Sequence, residues 1–169
     1  MSTTTANEFF VTRVLDAPLQ QVWQAWTERE QLQQWWGPKG LEVEIADLDL
    51  SPGGRCLYVM RTAEGSEMWG RFLYQEIEAP HKLVWLNAFS TAEGGVSRHP
   101  AAANWPLQMR CCVEFSEQGK QTLLTLRSRA FEASELEEKT FVEGFDSMRQ
   151  GFGGTFDQLV DYLAKSARA

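Results

Sequence analysis

FVEGFDSMRQGFGGTFDQLVDYL, residues 141–163, decides how the chain is read. Phe141, Phe145, Met148, Phe152, Phe156, Leu159 and Leu163 step by four, three, four, four, three and four positions. That spacing lays one apolar stripe along a helix. Upstream, Ser134-x-x-Glu137 is a capping-box pattern, and Glu132, Glu135 and Glu138 complement a positive helix start. Gly151, Gly153 and Gly154 interrupt the stripe, each at a cost of about 1 kcal/mol against Ala in a helix interior. Three such losses in one turn predict a bend there, or backbone packed closely on a neighbour. A long helix with one apolar face needs a broad apolar partner.

The middle of the chain supplies that partner. Leu41, Val43 and Ile45 alternate over 41–50, and Ser51-Pro52-Gly53-Gly54 reads as a turn. Residues 55–62 and 68–77 flank Ala63-Glu64-Gly65-Ser66 as a hairpin. A turn at 79–82 precedes a strand over 83–87, and 107–115 with 121–129 make a last hairpin. With the β-branched and aromatic stretch 8–15, this gives seven strands of an antiparallel meander. Between the first two strands, Asp16 is placed to cap a helix opening at Ala17-Pro18, in which Leu19, Val22, Trp23 and Trp26 form one stripe. A second short helix over 28–36 stops at Gly37-Pro38. The fold class expected is therefore α+β. Residues 1–7 are expected to be a disordered tail, 8–165 a single domain, and 166–169 a second tail.

Residues 88–106 lack clear periodicity, and a loop of that length in a compact domain is usually functional. Its Phe89 and Trp105 are too apolar for a freely solvated loop. They are expected to fold back over the sheet and cover a cavity mouth as a lid.

Composition removes several classes of function. A chain of 169 residues is one ordinary domain able to bury roughly 70 % of its unfolded surface in one core. The net charge of −7 argues against nucleic acid, whose phosphates need clustered cations. The longest apolar run, Cys56 to Met60, is far short of the about 20 residues of a membrane span. The N-terminal residues carry neither a basic n-region nor an apolar h-region, and with three cysteines this points to reduced thiols in the cytoplasm. Seven tryptophans suggest a wide interior or a ligand surface, because each indole N–H needs a partner when buried.

Local motifs are more specific than the order of elements. APLQQVWQAWT (17–27) and LQQWWGP (32–38) are followed by SPGGR (51–55), PHKLV (80–84) and a closing GFGGTFDQLVDYL (151–163). Together they resemble the START/SRPBCC superfamily, in the branch named for activator of heat-shock-protein-90 ATPase homologues. The resemblance implies a helix-grip fold, in which the antiparallel sheet wraps on the long C-terminal helix behind two short helices. It also implies a cavity between that helix and the concave face of the sheet.

The cavity implied in this way would be lined by Tyr58, Met60, Phe72, Tyr74, Trp85 and Phe89, together with Trp105, Met109, Phe145, Met148 and Phe152. Apolar walls with a few polar groups are what small-molecule pockets require. His99 and Arg110 are candidate polar anchors, the latter one of six arginines on strands with Arg55, Arg61, Arg71, Arg127 and Arg129. Cys56, Cys111 and Cys112 lack metal-ligand spacing, and adjacent Cys111 and Cys112 must point to opposite faces of a strand. The pairs Asp47/Asp49 and Glu42/Glu44 read best as a solvated strand face, and His81 as a turn residue. Gly151-Phe-Gly-Gly154 lacks the strand before it and the Lys-Ser/Thr after it that a nucleotide loop needs. Neither metal nor cofactor is expected. The function expected is binding of a small apolar or amphipathic molecule. Two alternatives remain open: a cyclase- or hydrolase-type enzyme using His99, Tyr58 or a carboxylate in the same cavity, and a protein-binding module that stimulates a chaperone ATPase. The second is the weaker, because the chaperone activators' separate N-terminal domain has no counterpart in this sequence.

Overall fold

β1 (Phe9–Leu15), α1 (Leu19–Thr27) and α2 (Arg29–Trp35) open a computed structural model that describes residues 7–99 and 102–166. Most of the two expected tails, at 1–6 and 167–169, lies outside the described residues. The strands β2 (Glu42–Leu48), β3 (Arg55–Arg61), β4 (Glu67–Glu78), β5 (Lys82–Ser90), β7 (Gln108–Gln118) and β8 (Gln121–Phe131) follow as antiparallel neighbours. β1 pairs with β8, so the sheet runs β1-β8-β7-β5-β4-β3-β2. α3 (Glu135–Glu143) and α4 (Phe145–Ser166) close the chain. The sheet wraps on α4 as a helix-grip fold.

Three local expectations need correction. An eighth strand, β6 (Val96–Ser97), pairs with the end of β5 through Phe89↔Ser97 and Ser90↔Val96. The first part of 88–106 is thus a ribbon extending the sheet, and Phe89, His99 and Trp105 face the interior. Asp16 does not cap α1. Pro18 holds that position without a side-chain bond, its fixed φ of −66° suiting a helix start. The C-terminal apolar stripe is carried by two helices, with the break at Gly144 and not at the glycines 151–154.

Gly144 is where a neighbour comes closest to the backbone at that break. A Cβ on Gly144 would lie 2.8 Å from Trp105 Cζ3, so the absence of a side chain lets the indole sit on the backbone at the α3–α4 junction. Around Gly151, Gly153 and Gly154 a Cβ meets nothing within 4 Å. Close packing does not explain them, and α4 runs unbroken through all three. The expected consequence is that Gly153→Ala and Gly154→Ala each raise stability by about 1 kcal/mol, the helix-propensity difference alone. Urea melts check this, and a loss of stability in either variant would show a close contact at that position.

The core lies where α1 and α2 meet the sheet. Trp26, Trp35, Tyr74, Trp85, Phe72 and Phe156 are at most 2 % exposed. Trp26 is at their centre, with ring centroids 4.8 Å from Trp35, 5.9 Å from Trp85, 5.7 Å from Phe115 and 6.4 Å from Phe156. The Ser134–Glu137 capping box forms in full. Glu137 also pairs with Arg98, which fastens the covering segment to α3. Hydrogen bonding from Arg98, then from the Ser134 backbone, holds the Glu137 carboxyl below its ordinary range.

Candidate functional site

Between α4 and the concave face of the sheet lie two adjoining cavities. The smaller, of about 190 Å³, is walled by Trp36, Tyr58, Met60, Met148 and Phe152, with the Gly37-Pro38 turn as its rim. Gly37 has φ +95°, a conformation that L side chains rarely adopt. Its carbonyl accepts hydrogen bonds from Thr155 Oγ1 at 3.1 Å and Gln158 Nε2 at 2.6 Å, which fix the rim to α4. The larger cavity, of about 640 Å³, is walled by Phe89, His99, Trp105 and Met109 on the side of the sheet and covering segment. Thr140, Glu143, Ser147 and Met148 face them from the helices, and Asn87 lies at the base on β5. Met148 and Gly151 border both cavities. A Cβ on Gly151 would meet nothing within 4 Å, so the shared border is open at that position.

The expected lining residues divide into two groups. Tyr58, Met60, Met148 and Phe152 meet at the smaller cavity, while Phe89, Trp105, Met109 and His99 meet at the larger. Phe72, Tyr74 and Trp85 point to the concave face but line neither. Phe72 stacks on Trp85 at 4.8 Å and meets Trp36 at 5.0 Å, and Trp26 is 5.9 Å from Trp85. Tryptophans from α1 and the end of α2 fill the space above them, so these residues are core. Phe145 packs on Phe9 at 5.7 Å and Phe141 at 5.3 Å, away from both cavities. Arg110 is on the opposite face of β7, paired with Glu76 at 3.3 Å.

Trp36, Asn87, Thr140, Glu143 and Ser147 were not among the expected lining residues. The doubled tryptophan Trp35-Trp36 held the signal for the first. Trp35 is buried and donates its Nε1 to Ala25 O at 2.9 Å, whereas Trp36 is only half-buried and opens on the cavity. The polar helix residues carried no such signal, since their pattern is that of an ordinary solvated face.

The remaining chemistry-bearing groups lie apart from the cavities. Arg61 bridges Glu44 at 2.8 Å and Glu67 at 2.9 Å, and Arg55 pairs with Asp47, so the strand carboxylates form an exposed ion-pair face. Cys111 is buried and Cys112 half-buried, on opposite faces of β7. Burial pushes the Cys56 and Cys111 thiols up to about 12, which keeps them protonated and unreactive at neutral pH. Burial also raises the Tyr58 phenol, so at neutral pH it is a hydrogen-bonding hydroxyl and not a base. Among the described residues no group of three or more His, Cys, Asp or Glu could hold a metal ion. No helix among them is long and apolar enough to cross a membrane.

The same architecture occurs in solved structures of low sequence identity. A Mycobacterium smegmatis protein superposes with a TM-score of 0.74 at 22 % identity, over 94 % of this chain and 91 % of its own. One from Arthrobacter aurescens gives 0.78 at 24 %, over 95 % and 87 %, and one from Nitrosomonas europaea 0.76 at 23 %, over 98 % and 99 %. At these identities the likeness establishes the fold alone. Among curated proteins, none matches the chain. The family model for Activator of Hsp90 ATPase homolog 1-like protein, however, matches residues 16–164, which span α1 to α4 and every wall of the two cavities. The chain therefore belongs to the Activator of Hsp90 ATPase homolog 1-like family.

Proposed function

We propose that the protein binds a small apolar or amphipathic molecule in the groove between α4 and the concave face of the sheet. The observation that carries this reading is the pair of neighbouring cavities along α4, which share Met148 and Gly151 as lining residues. The larger has a volume typical of small-molecule sites, roughly 300–1,000 Å³, and the apolar walls with a few polar groups that such sites use. Side-chain chemistry supports binding over catalysis. The raised Tyr58 phenol, the ion-paired strand carboxylates and the buried thiols supply no poised nucleophile or base, which leaves His99 and Glu143 as the cavity groups an enzyme would have to use. Three unpaired cysteines suit a reducing cytoplasm, and the net charge of −7 works against a nucleic-acid partner.

Native mass spectrometry of the purified full chain, followed by organic extraction, tests the reading. A small organic molecule bound in a one-to-one ratio is the expected result. A bare chain that also fails to bind an apolar fluorescent probe saturably would overturn it.

A further inference from the structure

The walls of the larger cavity differ in chemistry. On the covering side is a run of rings, with Phe89 edge-on to His99 at 4.8 Å and His99 to Trp105 at 6.3 Å. On the helix side Glu143 is the only Asp, Glu, Lys or Arg among the lining residues. Among the described residues no cation pairs with it. At the base, Asn87 Oδ1 is buried and accepts no hydrogen bond from any described residue. An orphaned buried acceptor is costly, and a ligand N–H would satisfy it.

We propose that this cavity takes the protonated amine head of an amphipathic ligand, whose apolar tail lies past Met148 in the smaller cavity. The inference rests on the ligand-binding reading of the same groove. Each wall favours a cation. The ring faces attract positive charge through their quadrupoles, and the Glu143 carboxylate neutralises it. Asn87 Oδ1 accepts one of its N–H bonds once the amide turns toward the cavity. A carboxylate head would instead meet Glu143, with no Lys or Arg in the lining to offset it. The net charge of −7 adds a field that draws cations in. Trp36, Tyr58, Met60 and Phe152 leave the tail an apolar slot.

Isothermal titration of the full chain at neutral pH and low salt with decylamine, decanoate and 1-decanol tests the head-group assignment. Decylamine should bind about tenfold tighter than decanoate, the scale of one charge-assisted contact with cation–π support. Glu143→Gln should remove most of that preference and leave decanol binding unchanged. Because Glu143 is exposed at the end of α3, the variant should fold as wild type. Decanoate binding as tightly as decylamine, or Glu143→Gln binding decylamine like wild type, would overturn the amine assignment. Decanol bound as tightly as decylamine would overturn it too, while leaving the ligand-binding reading intact. No binding of any of the three would overturn both.

Discussion

Replacing Trp26 by alanine is expected to lower the unfolding free energy by about 3–5 kcal/mol, the cost of removing a large aromatic from a packed core. Trp26 is 1 % exposed and lies within 6.4 Å, centroid to centroid, of rings from α2, β5, β7 and α4. Its ring meets four separate elements, so the cavity left by its removal cannot be closed by one local shift. A domain of this size loses about 2–4 °C in Tm per kcal/mol, which makes the effect large in a thermal melt. Trp26→Phe provides the contrast. The indole Nε1 is buried without a hydrogen-bond partner among the described residues, so removing it relieves a polar cost while most of the packing remains. The phenylalanine variant should therefore be far milder than the alanine one. Similar costs for the two would mean that ring packing is not what Trp26 contributes.

The second large effect concerns the groove. Met148→Trp should reduce binding of the uncharged fluorescent probe Nile red by about tenfold or more while costing less than the roughly 1–3 kcal/mol of overpacking a filled core. Met148 borders both cavities, so an indole there takes up volume from each. Phe152→Ala tests the same geometry from the other direction. Phe152 is half-buried and stacks on Phe9 at 5.8 Å, with one side open to the smaller cavity. Its truncation should cost less than the ~3–5 kcal/mol of a fully packed phenylalanine, because the space already exists. Paired melts and probe titrations of both variants read this out. Severe destabilisation by Met148→Trp, with no probe binding by wild type, would show a filled core and remove the basis for ligand binding.

Several features of the molecule were determined by sequence alone. The four-three spacing from Phe141 to Leu163 specified an apolar helical face, and alternation in the strands specified which side chains share a sheet face. Both are local periodicities, so a one-dimensional pattern carries them. That Cys111 and Cys112 lie on opposite faces follows from the same rule, as does the shared face of Tyr58 and Met60 and that of Phe72 and Tyr74. Which face is inward does not.

What covers that face is a different matter. Phe72, Tyr74 and Trp85 became core because tryptophans from α1 and the end of α2 lie over them, whereas Tyr58 and Phe89 border open space. Strand periodicity is identical in the two cases. Only the packing of elements distant in sequence separates a filled interior from a cavity. Arg110 shows the same limit on face assignment, since its strand position was legible but its Glu76 partner on β4 was not. The glycines show it for backbone. Their cost in a helix is written in the sequence, but its reason depends on what lies across from each Cα. At Gly144 that is Trp105, brought there by a segment tied to α3 through Arg98 and Glu137. At Gly151 it is open space on the border shared by the two cavities.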